Sequence, residues 1–119
     1  MAGYVYLPIF QKAYDFLIRL QKYIDRMPHL YKHSHGQKLI ELSLDFLYLI
    51  IEASSITKKY PILIKADLCL EKIRIHCRLL CDLKSINKHQ YEILSRELED
   101  IGKQLGGWIK SESGQEKLL

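Results

Sequence analysis

Residues 87–108 read NKHQYEILSRELEDIGKQLGGW, and this stretch decides the fold class because it contains a complete helix signature. Asn87 is a favourable N-cap residue, and Gln90 three residues later completes a capping-box pattern. Apolar residues then recur at steps of three and four, which is the period of one helix face. The members of this seam are Tyr91, Leu94, Leu98, Ile101, Leu105 and Trp108. The stretch therefore predicts a long amphipathic helix with one buried side.

Three glycines interrupt this helix pattern, and each needs a reason because glycine costs a helix interior about 1 kcal/mol relative to alanine. Gly102 and Gly106 lie four residues apart on one face, so we predict that they allow another helix to approach closely. Such packing would also leave room for the ring of Trp108. Alternatively, Gly106 and Gly107 end the helix as a C-cap. Because Trp108 continues the seam, we favour a helix that runs past them.

Prolines mark the ends of two further predicted helices. Pro8 opens a helix over residues 8–26 and Pro28 stops it, while Pro61 opens a helix over residues 61–84. Proline is tolerated at the first helical position, where its missing N–H would have no partner in any case.

The remaining segments complete an all-α pattern. A helix is predicted over residues 37–57, preceded by a loop or a weak first turn over residues 29–36. No segment shows the alternating pattern of a β-strand. Four helices of similar length on short connections predict an up-down-up-down antiparallel four-helix bundle, which forms a single domain over residues 1–119.

The helix predicted over residues 37–57 carries two apolar stripes. One stripe comprises Leu39, Leu42, Phe46, Ile50 and Ala53, and the other comprises Ile40, Leu44, Leu47 and Ile51. One stripe fills a bundle core, and the second requires burial on another side of the helix. Loop cover could supply that burial. Exposed contiguous apolar patches are uncommon on monomers, so we favour a neighbouring subunit and predict a homo-oligomer.

Composition is that of a small globular protein. The chain has 119 residues, of which 48% are hydrophobic and 27% charged, enough for a core and unlike a disordered chain. The longest apolar run, FLYLII at residues 46–51, is too short to span a membrane, so no membrane partner is predicted. The chain has an odd number of cysteines, and all three lie in one segment: Cys69, Cys77 and Cys81. We interpret them as reduced core thiols of a cytoplasmic protein.

No group of residues matches a catalytic or metal-binding motif. The strongest candidate set is His29, His33 and His35. No cysteine or carboxylate near these histidines completes a ligand set, so we interpret them as surface residues. A second set is His76, Cys77 and Cys81. Adjacent residues on a helix point in different directions, so this set does not converge either. The sequence predicts no enzymatic activity, no metal and no cofactor.

Basic residues concentrate between positions 58 and 78. They are Lys58, Lys59, Lys65, Lys72, Arg74 and Arg78. Two acidic residues in the same segment leave it a net charge of +4, equal to that of the whole chain. Basic segments near tyrosines suit phosphate contact, so we predict a nucleic-acid-binding or partner-binding surface that an oligomer would repeat. The alternatives are a solvated helix face and a ladder of ion pairs. The ladder would link Asp67, Glu71, Arg74, Arg78 and Asp82.

Several fixed spacings in the second half of the chain form a recognisable pattern. Its marks are Ala66 and Asp67, Leu70, Ile73 and Arg74, Arg78 and Leu79, the polar turn before Tyr91, Ile101 and Gly102, and Leu105 to Trp108. This pattern resembles the accessory variability determinant (Avd) proteins of diversity-generating retroelements. Weaker similarity continues upstream through YDFLIRLQKYIDRMP and HGQKLIELSLDFL.

The resemblance implies a four-helix bundle that assembles as a homopentamer and has no enzymatic activity. It implies an accessory subunit that partners the retroelement's reverse transcriptase and binds nucleic acid, template RNA or cDNA, through basic surface. It draws attention to Arg74 and Arg78 in particular. The alternative is a sister group of four-helix proteins encoded in intervening sequences of ribosomal RNA genes. That group implies a structural interaction protein without a nucleic-acid role, and its usual S-I-P-x-N-I-A-E-G-like stretch is absent here.

Overall fold

The structure, a computed structural model, is all-helical over the residues it describes, which are residues 3–118, with side chains to residue 114. The four long helices are α1 (Pro8–Asp25), α2 (Gln37–Ser55), α3 (Tyr60–Asp82) and α4 (Lys88–Leu118). No strand occurs within residues 3–118, so the predicted fold class is confirmed at this level. None of the helices in this described part is long and apolar enough to cross a membrane.

The capping box predicted at the start of α4 is formed. The Gln90 N–H donates to Asn87 Oδ1 at 2.8 Å, and the Asn87 N–H donates to Gln90 Oε1 at 2.9 Å. Two N–H groups at the helix start are thereby satisfied, which gives α4 a defined first turn. The helix then runs past Gly106 and Gly107 without a break, so the C-cap alternative is wrong.

The segment predicted as a loop or weak turn, residues 29–36, is helical. The short helix His29–Tyr31 leads into a π-helical turn, Lys32–Gly36, which continues directly into α2. Gly36 is buried, and an added Cβ there would lie 3.0 Å from Ile24 Cγ2 on α1. This glycine therefore provides a close approach between α1 and the start of α2, rather than a turn.

The long helices pack as a closed set around one core. Each packs against the next in sequence, and α4 also packs against α1. The seam predicted for α4 supplies much of the interior. Leu94, Leu98, Ile101 and Leu105 are buried, and Tyr91 and Trp108 are half-buried against the same core.

The second apolar stripe of α2 is largely covered within one chain. Leu47 is buried, and Ile40, Leu44 and Ile51 are half-buried. The N-terminal 3-10 helix Gly3–Tyr6 packs against both α1 and α2. Cover within one chain, the alternative to a neighbouring subunit, therefore accounts for part of this stripe.

Candidate interaction surfaces on the third helix

The six basic residues predicted to form one surface are divided between different environments. Lys58, in the connection between α2 and α3, is exposed. Lys59 has a structural role, because its Nζ donates to the carbonyl oxygens of Ala53 at 2.7 Å and Ile56 at 2.6 Å. A cation bound to the last carbonyls of a helix stabilises its C-terminus, here that of α2.

Lys65 and Lys72 lie on the side of α3 that faces α2. Both are exposed, and both line a groove of about 440 Å³ between the two helices. Asp45 and Glu52 of α2 line the same groove. These two lysines therefore face carboxylates across an open channel, and they are separated from the two arginines.

Arg74 lies on the other side of α3, against α4. Its Nη2 donates to the Leu98 carbonyl oxygen at 3.4 Å, and its Nη1 lies 3.3 Å from Glu71 Oε1. The guanidinium also borders a cavity of about 340 Å³ between α3 and α4. Arg74 is thus held by its own chain, although about two-fifths of its side chain, 42%, stays exposed.

Arg78 is the most available of the predicted arginines. Its side chain is 76% exposed, and its only ion pair within the described residues is with Asp82, at 3.8 Å from Nε to Oδ2. Exposed ion pairs at this distance contribute little, so the guanidinium can exchange Asp82 for another anion at small cost. The predicted ladder is therefore formed in two places, between Arg74 and Glu71 and between Arg78 and Asp82.

The two glycines predicted to allow close packing differ. An added Cβ at Gly102 would overlap Arg74 Nη2 and would touch Leu70 Cδ2 at 3.6 Å. An added Cβ at Gly106 meets no heavy atom within 4 Å, so no close approach is made there within one chain. Trp108 is half-buried against the core. Gly102 thus makes room for the side chain of Arg74 on α3. The helix period alone did not indicate this role.

An ion pair between α1 and α4 was not predicted from the sequence. Arg19 Nε contacts Glu97 Oε1, and the Glu97 side chain is only 23% exposed. Burial raises the pKa of Glu97, and the charge of Arg19 opposes that shift. No local spacing signals this pair, because the two residues lie on helices far apart in the sequence.

The histidine and cysteine sets show no metal-binding geometry in the part of the chain that the structure describes. The rings of His29 and His33 stack edge to face, 4.4 Å between centroids. Within residues 3–114, no three His, Cys, Asp or Glu side chains converge in a way that could hold a metal ion. All three cysteines are unpaired thiols. Burial raises the pKa of Cys77 to about 12, which keeps it protonated at neutral pH.

The amino-acid sequence matches one family model over most of the chain. The bAvd-like family model matches residues 7–112, which includes all of α1, α2 and α3 and most of α4. A search of curated proteins finds no significant match. Because the family model spans far more than half of the sequence, the chain belongs to the bAvd-like family.

Proposed function

We propose that this protein is a non-catalytic accessory subunit of a diversity-generating retroelement, and that it binds the reverse transcriptase and nucleic acid during mutagenic reverse transcription. The observation that carries the proposal is the bAvd-like match over residues 7–112. It agrees with the resemblance noted in the sequence, whose marks lie on α3 and α4. A cytoplasmic location is part of the proposal, supported by three unpaired cysteines.

An up-down-up-down antiparallel order of the helices is also proposed. Short connections between consecutive packed helices favour antiparallel neighbours. The contacts between α3 and α4 support the same order. Arg74 contacts Leu98, whereas Leu70, one turn earlier on α3, lies beside Gly102, one turn later on α4.

Within the predicted basic set, Lys58 and Arg78 are the residues best placed to contact phosphate. Both are exposed, and Arg78 is held only by a long ion pair with Asp82. Arginine suits bidentate phosphate contact, and neutralised phosphates release counterions. Lys59 and Arg74 are already engaged within the chain, so they contribute less to such a surface.

A salt-dependent binding titration tests the nucleic-acid part of the proposal. Labelled single-stranded RNA is titrated with wild type, Lys58→Ala/Arg78→Ala and Arg96→Ala/Lys103→Ala at two salt concentrations. Each lost phosphate contact lowers the slope of log affinity against log salt by about one. We expect Lys58→Ala/Arg78→Ala to bind more weakly with a shallower slope. Arg96→Ala/Lys103→Ala is the matched control, because it also removes one exposed arginine and one exposed lysine, both on α4.

Two results would count against this part of the proposal. If wild type fails to bind RNA at low salt, the nucleic-acid role is wrong, and docking to the polymerase would be tested by co-purification with the reverse transcriptase. If Lys58→Ala/Arg78→Ala and Arg96→Ala/Lys103→Ala behave alike, Lys58 and Arg78 do not define the binding surface.

We further propose that the protein assembles as a homopentamer. The second stripe of α2 supports this less directly than the sequence suggested, because much of it is covered within the chain. Support now comes from exposed apolar side chains on the outside of α1, Tyr14 and Ile18. They lie four residues apart on one helix face, and such a patch favours a protein contact.

A further inference from the structure

Two short segments, residues 25–38 and residues 76–89, contain every histidine of the chain and all of its net charge. The histidines are His29, His33, His35, His76 and His89. Each segment has three basic residues and one acidic residue, so each has a net charge of +2 and the two together match the +4 of the whole chain. The other residues balance twelve basic against twelve acidic side chains.

This asymmetry does not depend on where the segments are cut. The first charged residues beyond them carry two charges of each sign: Lys22, Glu41, Arg74 and Glu92. Widening both segments to include these residues leaves their combined charge at +4.

The fold brings the two segments to one end of the bundle. The helical segment 29–36 folds back on the end of α1, because an added Cβ at Gly36 would lie 3.0 Å from Ile24 Cγ2. Lys38 at the start of α2 and His76 on α3 line one cavity of about 290 Å³. The end of α3 leads directly into the start of α4, so residues 76–89 lie beside residues 25–38. The two segments together are called the histidine end below.

Most cations of the histidine end are open to solvent. Arg26, Lys38, Lys84 and Lys88 are exposed, and within the described residues none of them has an ion-pair partner within 4.0 Å. Arg78 has only its long pair with Asp82. The histidine end is therefore an accessible positive surface.

The histidines add charge that depends on pH. The rings of His29 and His33 are exposed and lie 4.4 Å apart between centroids, while the ring of His35 stacks on Tyr31 at 6.1 Å. Within the described residues, no histidine has a carboxylate within 4.0 Å. Protonating both rings of the close pair places like charges together without an internal counter-ion, so a bound anion would favour the charged form.

The surrounding helices supply few carboxylates to neutralise this end. The segment 29–36 packs against α1, α2 and α3. The carboxylates at the facing ends of these helices are Asp25, Glu41 and Asp82. The other titratable or charged groups there are Lys22, Tyr23, Lys38, Lys72, His76, Arg78 and Cys81. Cations thus outnumber carboxylates around the histidines even before any ring is protonated.

We propose that the histidine end binds the phosphate backbone of single-stranded RNA, and that protonation of its histidines tightens this contact. The inference rests on the nucleic-acid part of the proposed function and adds a location and a pH dependence to it. Histidine ordinarily changes its charge between pH 8 and pH 5. A phosphate that binds the charged ring favours proton uptake, so by linkage affinity rises as the pH falls.

RNA fits this surface better than an acidic protein does. Flat rings lie among the cations, with His29 and His33 exposed and Tyr31 stacked on His35. Unpaired bases stack on tyrosine and histidine rings, whereas carboxylate side chains gain nothing from them.

A binding titration at two pH values tests the inference. The probe is a uridine oligonucleotide, whose bases do not titrate between pH 8 and pH 6, with a rhodamine label. We expect wild type to bind about tenfold more tightly at pH 6 than at pH 8. The slope of log affinity against log salt should be steeper at pH 6 by about two, or about one for each added phosphate contact.

Histidine variants locate the effect. For His29→Gln/His33→Gln we expect the gain in affinity between pH 8 and pH 6 to fall below about threefold. The matched control adds Gln11→His/Thr57→His to this variant, which restores five histidines at exposed positions outside the histidine end. It should respond to pH like His29→Gln/His33→Gln. Circular dichroism and light scattering at both pH values verify that each variant keeps its helices and its particle mass.

The outcomes separate this inference from the proposed function. RNA binding of equal affinity at both pH values would overturn the inference alone. A control variant that recovers the wild-type pH response would overturn it too, because total charge rather than the histidine end would then be responsible. Competition by polyglutamate as strong as that by unlabelled oligonucleotide would identify an acidic protein as the ligand. Failure to bind RNA at either pH would remove the nucleic-acid part of the proposed function, and this inference with it.

Discussion

Gly102 and Arg74 are best understood as one unit. The guanidinium of Arg74 crosses from α3 onto the surface of α4 and bonds the Leu98 carbonyl oxygen. It occupies the space that a side chain at position 102 would need. Glycine at position 102 costs α4 about 1 kcal/mol in helix propensity. Its missing side chain leaves room for the Arg74 guanidinium on the surface of α4.

Gly102→Ala should accordingly have opposite effects in two backgrounds. In wild type the added methyl displaces Arg74, so we expect no gain or a loss in the free energy of unfolding. With Arg74→Ala already present, the same change should stabilise the fold by about 1 kcal/mol, because only helix propensity remains. Urea unfolding at fixed protein concentration measures the difference as a double-mutant cycle.

Gly106→Ala is the control for this cycle. Position 106 is open within one chain, so Gly106→Ala should stabilise wild type and the Arg74→Ala variant by the same amount. Equal stabilisation by Gly102→Ala in both backgrounds would mean that Arg74 and Gly102 are not coupled. A destabilising Gly106→Ala would instead indicate a neighbouring subunit packed on that residue.

The three thiols should differ in reactivity. Burial raises the pKa of Cys77 to about 12, so at pH 8 about one thiol in ten thousand is ionised. Cys69 is also buried, its pKa is raised by burial, and its Sγ donates to the Leu42 carbonyl oxygen at 3.3 Å. Cys81 is half-buried. We expect iodoacetamide at pH 8 to alkylate Cys81 first, as read by mass spectrometry, and Cys77 only on unfolding. Equal rates for Cys77 and Cys81 in the folded protein would contradict this.

At the scale of the helices, the contact between α1 and α4 includes an ion pair as well as core side chains. Arg19 on α1 and Glu97 on α4 form an ion pair at the edge of their packed faces. Glu97 is mostly withdrawn from water, and burial raises its pKa above the ordinary value of 4.5. Without Arg19, a poorly solvated carboxylate would be left unpaired, which is the costly case for a charged group.

Arg19→Met should therefore destabilise the fold by about 1–2 kcal/mol at pH 7. Because the folded-state pKa of Glu97 is raised, lowering the pH protonates it in the folded chain before the unfolded one. The loss should then shrink as the pH falls from 7 toward 4.5, the ordinary value for Glu97. Urea unfolding at pH 7 and pH 5 measures both effects.

Two comparison variants make this test specific. Arg19→Met/Glu97→Gln carries no buried charge, so its stability should change little between pH 7 and pH 5 relative to wild type. Lys103→Met removes an exposed pair with Glu99 and should cost less than about 1 kcal/mol. If Arg19→Met lowers the free energy of unfolding by the same amount at both pH values, protonation of Glu97 does not relieve the loss.

At the scale of the whole molecule, the exposed apolar faces lie on different helices and can serve different contacts. Tyr14 and Ile18 on α1 form one patch, and Leu68 and Ile75 on α3 form another. Self-assembly through the α1 patch would leave the α3 patch free for a different contact.

Light scattering at micromolar concentration tests this division. A homopentamer of a 14.0 kDa chain has a mass of about 70 kDa, five times that of one subunit. We expect Ile18→Glu to lower the particle mass and Ile75→Glu to leave it unchanged. Both side chains are exposed, so neither change should unfold the chain. A wild-type mass near that of one subunit would remove the oligomer from the proposal.

Much of the local architecture followed from the sequence alone. The capping residues Asn87 and Gln90 and the three-four spacing after them determined where α4 begins and which side is buried. Prolines located the starts of α1 and α3 to within one residue. These features depend on interactions between residues less than two turns apart, and the chain order contains that information directly.

Only the tertiary structure decided which partner each face meets. The sequence grouped Lys65 and Arg78 in one basic segment. On the folded helix, Lys65 lies on the side of α3 toward α2, and Arg78 lies on a side away from α2. It indicated a glycine at 102 that permits close approach, but not that the approaching group is Arg74. A period of 3.6 residues shows which residues share a face, while the identity of the facing element depends on contacts between helices distant in the chain.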